Sequence, residues 1–294
     1  MNRASSRRLT AGFTLVELLV VIIIIAILAG ILIPTVNAAR RRVLIARVVI
    51  EMKQLETAIE QYKTDHGGDY PPDFTDYPVG ANPNAKSVNL AAHLARAYPR
   101  HNRANINKWM ISQPTTQQPG NLDAAEALVF WLSMLRNDVV NPLTDAAGNT
   151  ITLQTTGGKA YFDFDVTRLK DRDNDGWPEY YPKGVDDAPF VYFHNKTYGG
   201  AYYPTAVGGT AIGTARPYAQ SIANNVPTFF NQTKFQLLAA GLDNTFGLDT
   251  VVNPPNQYKL APSAAAPEGL NLSKADFDDV GNFTEGKTIE GMKP

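Results

Sequence analysis

The pattern of apolar and polar positions changes abruptly near the start of the chain. A short basic stretch ends at Gly12, and a run of 21 residues from Phe13 to Ile33 follows in which Glu17 is the single charged side chain. About 20 apolar residues suffice for a helix to cross a bilayer. Farther on, Val48, Met52, Leu55, Ile59 and Tyr62 recur at steps of four, three, four and three, one face of an α-helix. Glu51, Lys53, Glu56, Glu60 and Lys63 lie largely off that stripe. Together the two patterns predict one helix from Phe13 to about Asp65, a rod of roughly 80 Å at 1.5 Å per residue. His66-Gly67-Gly68 stops it in the manner of a glycine C-cap. Pro34 removes a backbone hydrogen bond and favours a kink, which neighbouring helices can compensate in lipid or in a filament core.

Beyond Gly68 the pattern loosens. Residues 75–120 read as a proline-punctuated insertion with a short helix around Ser87–Tyr98. A firmer helix is expected from about Leu122 to Asn137. Asp123 and Glu126 form a capping-box pair, and Leu122, Ala125, Leu128, Val129, Leu132 and Leu135 make the buried face. Candidate strands are Ile151–Thr155, Ala160–Val166, Pro189–His194 and Lys234–Ala240, separated by turn residues. Gly208–Thr214 reads as a loop. The order of elements argues for an α+β fold, a long N-terminal helix packed on a small antiparallel sheet domain with helical and loop insertions. The expected organisation is 1–12 as a leader, 13–36 as a transmembrane or filament-core helix, 37–66 as its amphipathic second half, and 67–294 as a globular domain.

Composition narrows the function. With 294 residues, 44% hydrophobic and 19% charged, the chain can hold a membrane helix and one domain of moderate size. A formal charge of −1, about −4 without the leader arginines, gives no general affinity for nucleic acid. The chain has no cysteine, so neither a disulfide, a thiol nucleophile nor a zinc–cysteine site is possible. The histidines His66, His93, His101 and His194 have no metal-ligand spacing, and no nucleophile elbow, phosphate loop or dinucleotide fingerprint is present. The chain reads as something other than an enzyme.

Glu17 carries the functional clue, because an ionisable group in lipid costs a few kcal/mol unless something neutralises it. An ordinary secretory signal has a shorter apolar core and no such acid, although Val36-Asn37-Ala38 would serve as a small-residue cleavage site. A plain anchor needs neither Glu17 nor the glycine before Phe13. Arg40, Arg41, Arg42 and Arg47 compete with Arg3, Arg7 and Arg8, so the charge rule does not settle orientation. Taken together, the basic leader, Gly12-Phe13-Thr14-Leu15-Val16-Glu17 and the apolar run resemble the N-terminus of type IV pilins and of type II secretion pseudopilins. Ala58–Phe74, AIEQYKTDHGGDYPPDF, is similar to the pseudopilin segment where the helix ends.

The resemblance implies cleavage after Gly12 by a membrane-embedded prepilin peptidase and N-methylation of Phe13. It also implies a single-pass inner-membrane protein with a cytoplasmic N-terminus and a periplasmic C-terminal domain. Copies of the chain and other pseudopilins would assemble on an inner-membrane platform into a filament. The Glu17 carboxylate of one copy would pair with the Phe13 amine of the next, a device for stagger more than for affinity. The alternative is a minor pilin acting as an adhesin or DNA-uptake module, for which Arg96, Arg100, Arg103 and Lys108 are a modest basic set.

Two acidic segments suggest calcium. Asp171, Asp173 and Asp175 alternate ahead of Gly176 and resemble the first half of an EF-hand-type loop, with the Trp177 carbonyl at the seventh position and Glu179 at the ninth. Pro182 stands where the bidentate glutamate normally falls, so Glu179, Asp165, Asp186 or Asp187 would have to complete the shell. The second segment resembles the end of the major pseudopilin, which binds calcium, and that likeness implies Asp243, Asn244, Asp278 and Asp279 as ligands.

Overall fold

The computed structural model describes residues 13–76, 88–111, 122–149, 160–200, 203, 206–207, 210–247 and 258–294. The fold is α+β and divides into two compact units, Met1–Val43 and Leu44–Pro294. Helix α1, Leu15–Asp65, contributes residues to both and continues through Pro34. In the first unit its apolar side chains are uncovered, from Leu15 to Ile33 and beyond, and the helix is long and apolar enough to cross a membrane. In the second unit the expected stripe is the buried one: Val48, Met52, Leu55, Ile59 and Tyr62 all lie in the core. The helix ends as a glycine-capped turn. The Gly68 N–H bonds the Lys63 carbonyl at 2.9 Å while Gly67 takes φ +78°.

Three further helices follow: α2 Val88–Ala97, α3 Arg103–Ile111 and α4 Glu126–Ser133. The first agrees with the sequence reading. Helix α3 was missed; Asn102 caps it by accepting the Ala104 and Asn105 N–H groups at 3.0 and 3.2 Å. The capping box before α4 is formed. Asp123 Oδ1 accepts from the Ala125 and Glu126 N–H groups, and Glu126 Oε2 accepts from the Asp123 N–H at 2.9 Å. The helix stops at Ser133, short of the expected Asn137. Asp138 takes the Val140 N–H at 2.8 Å and the Arg136 N–H turns to the Pro142 carbonyl at 3.0 Å, so local turn bonds displace the helical ones. Seven of the eight residues of α4 are buried, so it is a central helix with no solvent face.

Around these helices lie ten short strands among the described residues: β1 Leu169–Lys170, β2 Glu179–Tyr180, β3 Val191–His194, β4 Ala206–Val207, β5 Thr210–Ala211, β6 Tyr218–Ala223, β7 Val226–Phe229, β8 Phe235–Ala239, β9 Lys259–Leu260 and β10 Val280–Gly281. They form small sheets, β1-β2, β4-β5, β10-β8-β3 and β7-β6-β9. Strands β3 and β8 fall where the sequence placed them and pair antiparallel. The Ala160–Val166 expectation fails: Asp165 caps a 3₁₀ turn over Val166–Arg168, and the strand starts at Leu169. Ile151–Thr155 lies outside the described residues. The β4–β5 pairing runs through part of the segment read as a loop, and β9 joins β6 in parallel, the one departure from antiparallel pairing among the described strands. The β6–β7 hairpin was also missed. Asn224 and Asn225 both take positive φ, 51° and 62°, which a two-residue type I′ turn requires.

Polar contacts tie α1 to this shell. Glu51, off the apolar stripe, accepts from both terminal guanidinium nitrogens of Arg168 and from the Tyr180 hydroxyl. The Trp131 indole donates to the Pro72 carbonyl at 2.8 Å and the Tyr192 hydroxyl to Pro71 at 2.7 Å, which locks the Tyr-Pro-Pro segment after the helix into the core. His93 is buried against Tyr62, whose hydroxyl lies 2.8 Å from its Nε2. Burial holds the His93 imidazole down to about 3. The unfolded imidazole protonates near 6.5, so below that pH the unfolded chain binds a proton that the folded chain refuses, and stability falls with pH across the window from about 6.5 to 3. Replacing His93→Gln removes this titration. As pH drops from 6.5, the gap in urea midpoint between the wild type and the variant should narrow; a constant gap would contradict the assignment.

Candidate functional site

At the head of α1, Thr14 and Glu17 form a capping box. Glu17 Oε2 accepts the Thr14 N–H at 2.8 Å and the Thr14 hydroxyl at 2.7 Å, and Thr14 Oγ1 accepts the Glu17 N–H at 3.2 Å. The sequence reading gave Glu17 a partner on another copy and overlooked this one, although Thr14-Leu15-Val16-Glu17 spells the motif. Both bonds fall on one oxygen, and a carboxylate accepts at two. Its position also suits the positive end of the helix dipole. Phe13, which precedes the box, is 75% exposed, and Gly12 lies outside the described residues.

The Asp171–Glu179 loop folds as a tight turn with Asn174 and Gly176 in the left-handed region, φ 61° and 93°. Asp171 shapes the turn, accepting the Asp175 and Gly176 N–H groups at 3.1 and 3.0 Å. Asp173 and Asp175 converge with a residue from outside the loop. Glu126, in the first turn of α4, brings a carboxylate oxygen within 4.8 Å of one from each. Asp175 Oδ1 takes the Trp177 N–H at 2.9 Å, while its Oδ2 is buried with no hydrogen-bond partner among the described residues. The Trp177 side chain is buried edge-on to Phe130 of α4, which seats the loop against that helix. Glu179 faces elsewhere and accepts the hydroxyls of Tyr181 and Tyr203.

The other expected completions do not join this group. Asp165 accepts from Thr167, and the backbone N–H groups of Asp186 and Asp187 turn to the Asn244 side chain. Arg172, inside the loop, directs its guanidinium to the carbonyls of Asp186 and Asp187. Burial raises Asp175 to about 7, aided by the charges of Asp173 and Asp171 against the Trp177 N–H. Burial likewise pushes Glu126 well above the usual carboxylate range, with Asp123 and Asp175 adding to the shift. A hard cation relieves this crowding of oxygens, and Glu126, Asp173 and Asp175 are the residues that could hold one. Glu126 was missed because its spacing from the loop carries no signal; its only mark in the sequence is the capping box.

The C-terminal candidates do not converge in this way. Asp243 accepts the Thr245 N–H at 3.0 Å, Asn244 serves Asp186, and Asp278 Oδ2 accepts the Leu242 N–H at 2.8 Å. Asp279 is buried and accepts the Tyr218 hydroxyl at 3.0 Å. This group contains a cation of its own, the buried Lys259, paired with Asp276. Of the basic residues in the 75–120 insertion, Arg96 pairs with Asp69 at 3.0 Å and Lys108 bonds the Ala147 carbonyl at 2.7 Å.

Residues 7–33 match the family described as the prokaryotic N-terminal methylation motif. A stretch of 66 residues, 22% of this chain, is 38% identical to the type II secretion system core protein G of Klebsiella michiganensis. That match covers 44% of the relative, so the chain spans less than half of its length. No solved structure matches.

Proposed function

We propose that this chain is a structural subunit of a type II secretion pseudopilus or a type IV pilus-like filament. The observation that carries the reading is a coincidence of two features. The methylation motif at residues 7–33 overlies the half of α1 whose apolar side chains are uncovered and whose one acid, Glu17, sits at the head of the helix. Prepilin peptidase removes residues 1–12, and the mature chain waits in the inner membrane with its C-terminal domain in the periplasm. An assembly platform then draws it out to join copies of itself and other pseudopilins. Exchange of lipid for helix–helix contacts drives assembly, since a fully apolar helix must be covered by one or the other.

The capping box gives Glu17 a part in both states. In the single chain Thr14 and the helix terminus satisfy the carboxylate. In the filament the Phe13 ammonium of a neighbour adds to it, and that pair selects the axial register. The Glu126–Asp173–Asp175 group holds a calcium ion that fastens the loop to α4, as its hard oxygen donors and the buried, unpartnered oxygen of Asp175 suggest.

Replacing Glu17→Ala should leave removal of residues 1–12 intact, read by the mass of the mature chain, while recovery in sheared filaments falls at least tenfold. Normal incorporation would reject the role given to the carboxylate. Calcium at 100 times its dissociation constant should stabilise the chain by about 2.7 kcal/mol, seen as a rise in Tm. Asp175→Asn and Glu126→Gln should each abolish that rise and Glu179→Gln should keep it. A wild-type Tm indifferent to calcium would exclude the site.

A further inference from the structure

The C-terminal end of the domain encloses a second group of polar side chains that the filament reading does not use. Lys259 of β9, Tyr218 of β6, Asp276 in the 3₁₀ turn Ala275–Asp278, and Asp279 are all at most 1% exposed. Lys259 Nζ contacts Asp276 Oδ1 and the Phe246 carbonyl. The other oxygen of Asp276, Oδ2, accepts the Ser273 N–H at 2.6 Å and the Ser273 hydroxyl at 2.8 Å. The Tyr218 hydroxyl lies 3.0 Å from Asp279 Oδ2 and 3.5 Å from Asp276 Oδ1. Asp279 Oδ1 is buried with no hydrogen-bond partner among the described residues. Gly247 closes the pocket, for a Cβ there would lie 2.2 Å from Asp276 Oδ2.

These parts are those of an acyl transfer: an amine held against a carboxyl carbon, two donors on the oxygen that stays, and an acid beside the oxygen that leaves. We propose that Lys259 and Asp276 condense into an intramolecular isopeptide bond, with Asp279 carrying protons through Tyr218. Nζ attacks Cγ of Asp276 while the Ser273 N–H and hydroxyl hold the charge that develops on Oδ2. Asp279 takes one proton from Nζ before the attack and a second after it, and passes each in turn through the Tyr218 hydroxyl to Oδ1. The Cγ–Oδ1 bond breaks and Oδ1 departs as water. An ammonium and a carboxylate hold between them the two hydrogens that this water needs. The products are one secondary amide and one water, with Asp279 and Tyr218 restored and no co-reactant consumed.

The surroundings favour this step over a permanent ion pair. Separated from solvent, a charged pair bears a desolvation penalty that a neutral amide avoids. The bond would join β9 to the Ala275–Asp278 turn and close the intervening loop, the service that a disulfide gives other exported domains and that a chain without cysteine cannot obtain. The proposal stands independently of the filament.

The test is the mass of the intact full-length chain, purified in detergent, followed by peptide mapping. The wild type should weigh one water less than its sequence after allowance for leader removal and methylation, with the deficit confined to a branched peptide joining Lys259 to Asp276. Lys259→Met should restore the full mass. Asp279→Asn, with a wild-type circular dichroism spectrum, should leave most of the chain unlinked, and Asp279→Glu should recover linkage. A wild type of full mass, or a deficit mapped to any other residues, would overturn the proposal. An Asp279→Asn chain that links as fast as the wild type would remove Asp279 from the proton path.

Discussion

One helix in this chain has to satisfy two different solvents. In its first part α1 is apolar on every side and its side chains are exposed, whereas in its second part a single stripe from Val48 to Tyr62 is buried in a protein core. A helix can serve both because its backbone hydrogen bonds are internal and make no demand on what lies outside. The consequences diverge from there. The uncovered half is long and apolar enough to cross a membrane, and lipid or other helices are the surroundings that suit it. The striped half gives the C-terminal domain a fixed wall against which short strands and loops can be ordered.

That domain needs such a wall. Its described strands are two to six residues long and fall into four small sheets, none large enough to make a core alone. Order comes instead from a dense aromatic interior, with Trp131 packed against Tyr62, Phe74 and Phe130, and from polar ties such as Glu51 to Arg168. The domain also buries more acids than a small fold ordinarily tolerates, among them Asp73, Glu126, Glu179, Asp276 and Asp279. They are managed in more than one way. Asp73 and Glu179 are satisfied by neutral hydroxyl and amide donors, Asp276 faces an internal lysine, and Glu126 meets two other carboxylates. The last arrangement is a cluster of like charges, which the proposed calcium ion would offset.

The sequence alone determined what depends on neighbours a few residues away. The extent of α1, its buried stripe, the glycine stop at Gly67, the Asp123–Glu126 box and strands β3 and β8 follow from periodicity and capping chemistry, both of them local. The Thr14–Glu17 box and the Asn224-Asn225 turn were equally local and equally legible; they were overlooked, not hidden. What only the tertiary structure decided is convergence. Glu126 meets Asp173 and Asp175, Arg168 finds Glu51, and Lys259 is enclosed with Asp276, Asp279 and Tyr218 because the chain's path through space brings distant segments together. No spacing rule encodes such meetings, since the distance between two side chains in a folded domain is set by packing and connectivity, not by their separation along the backbone.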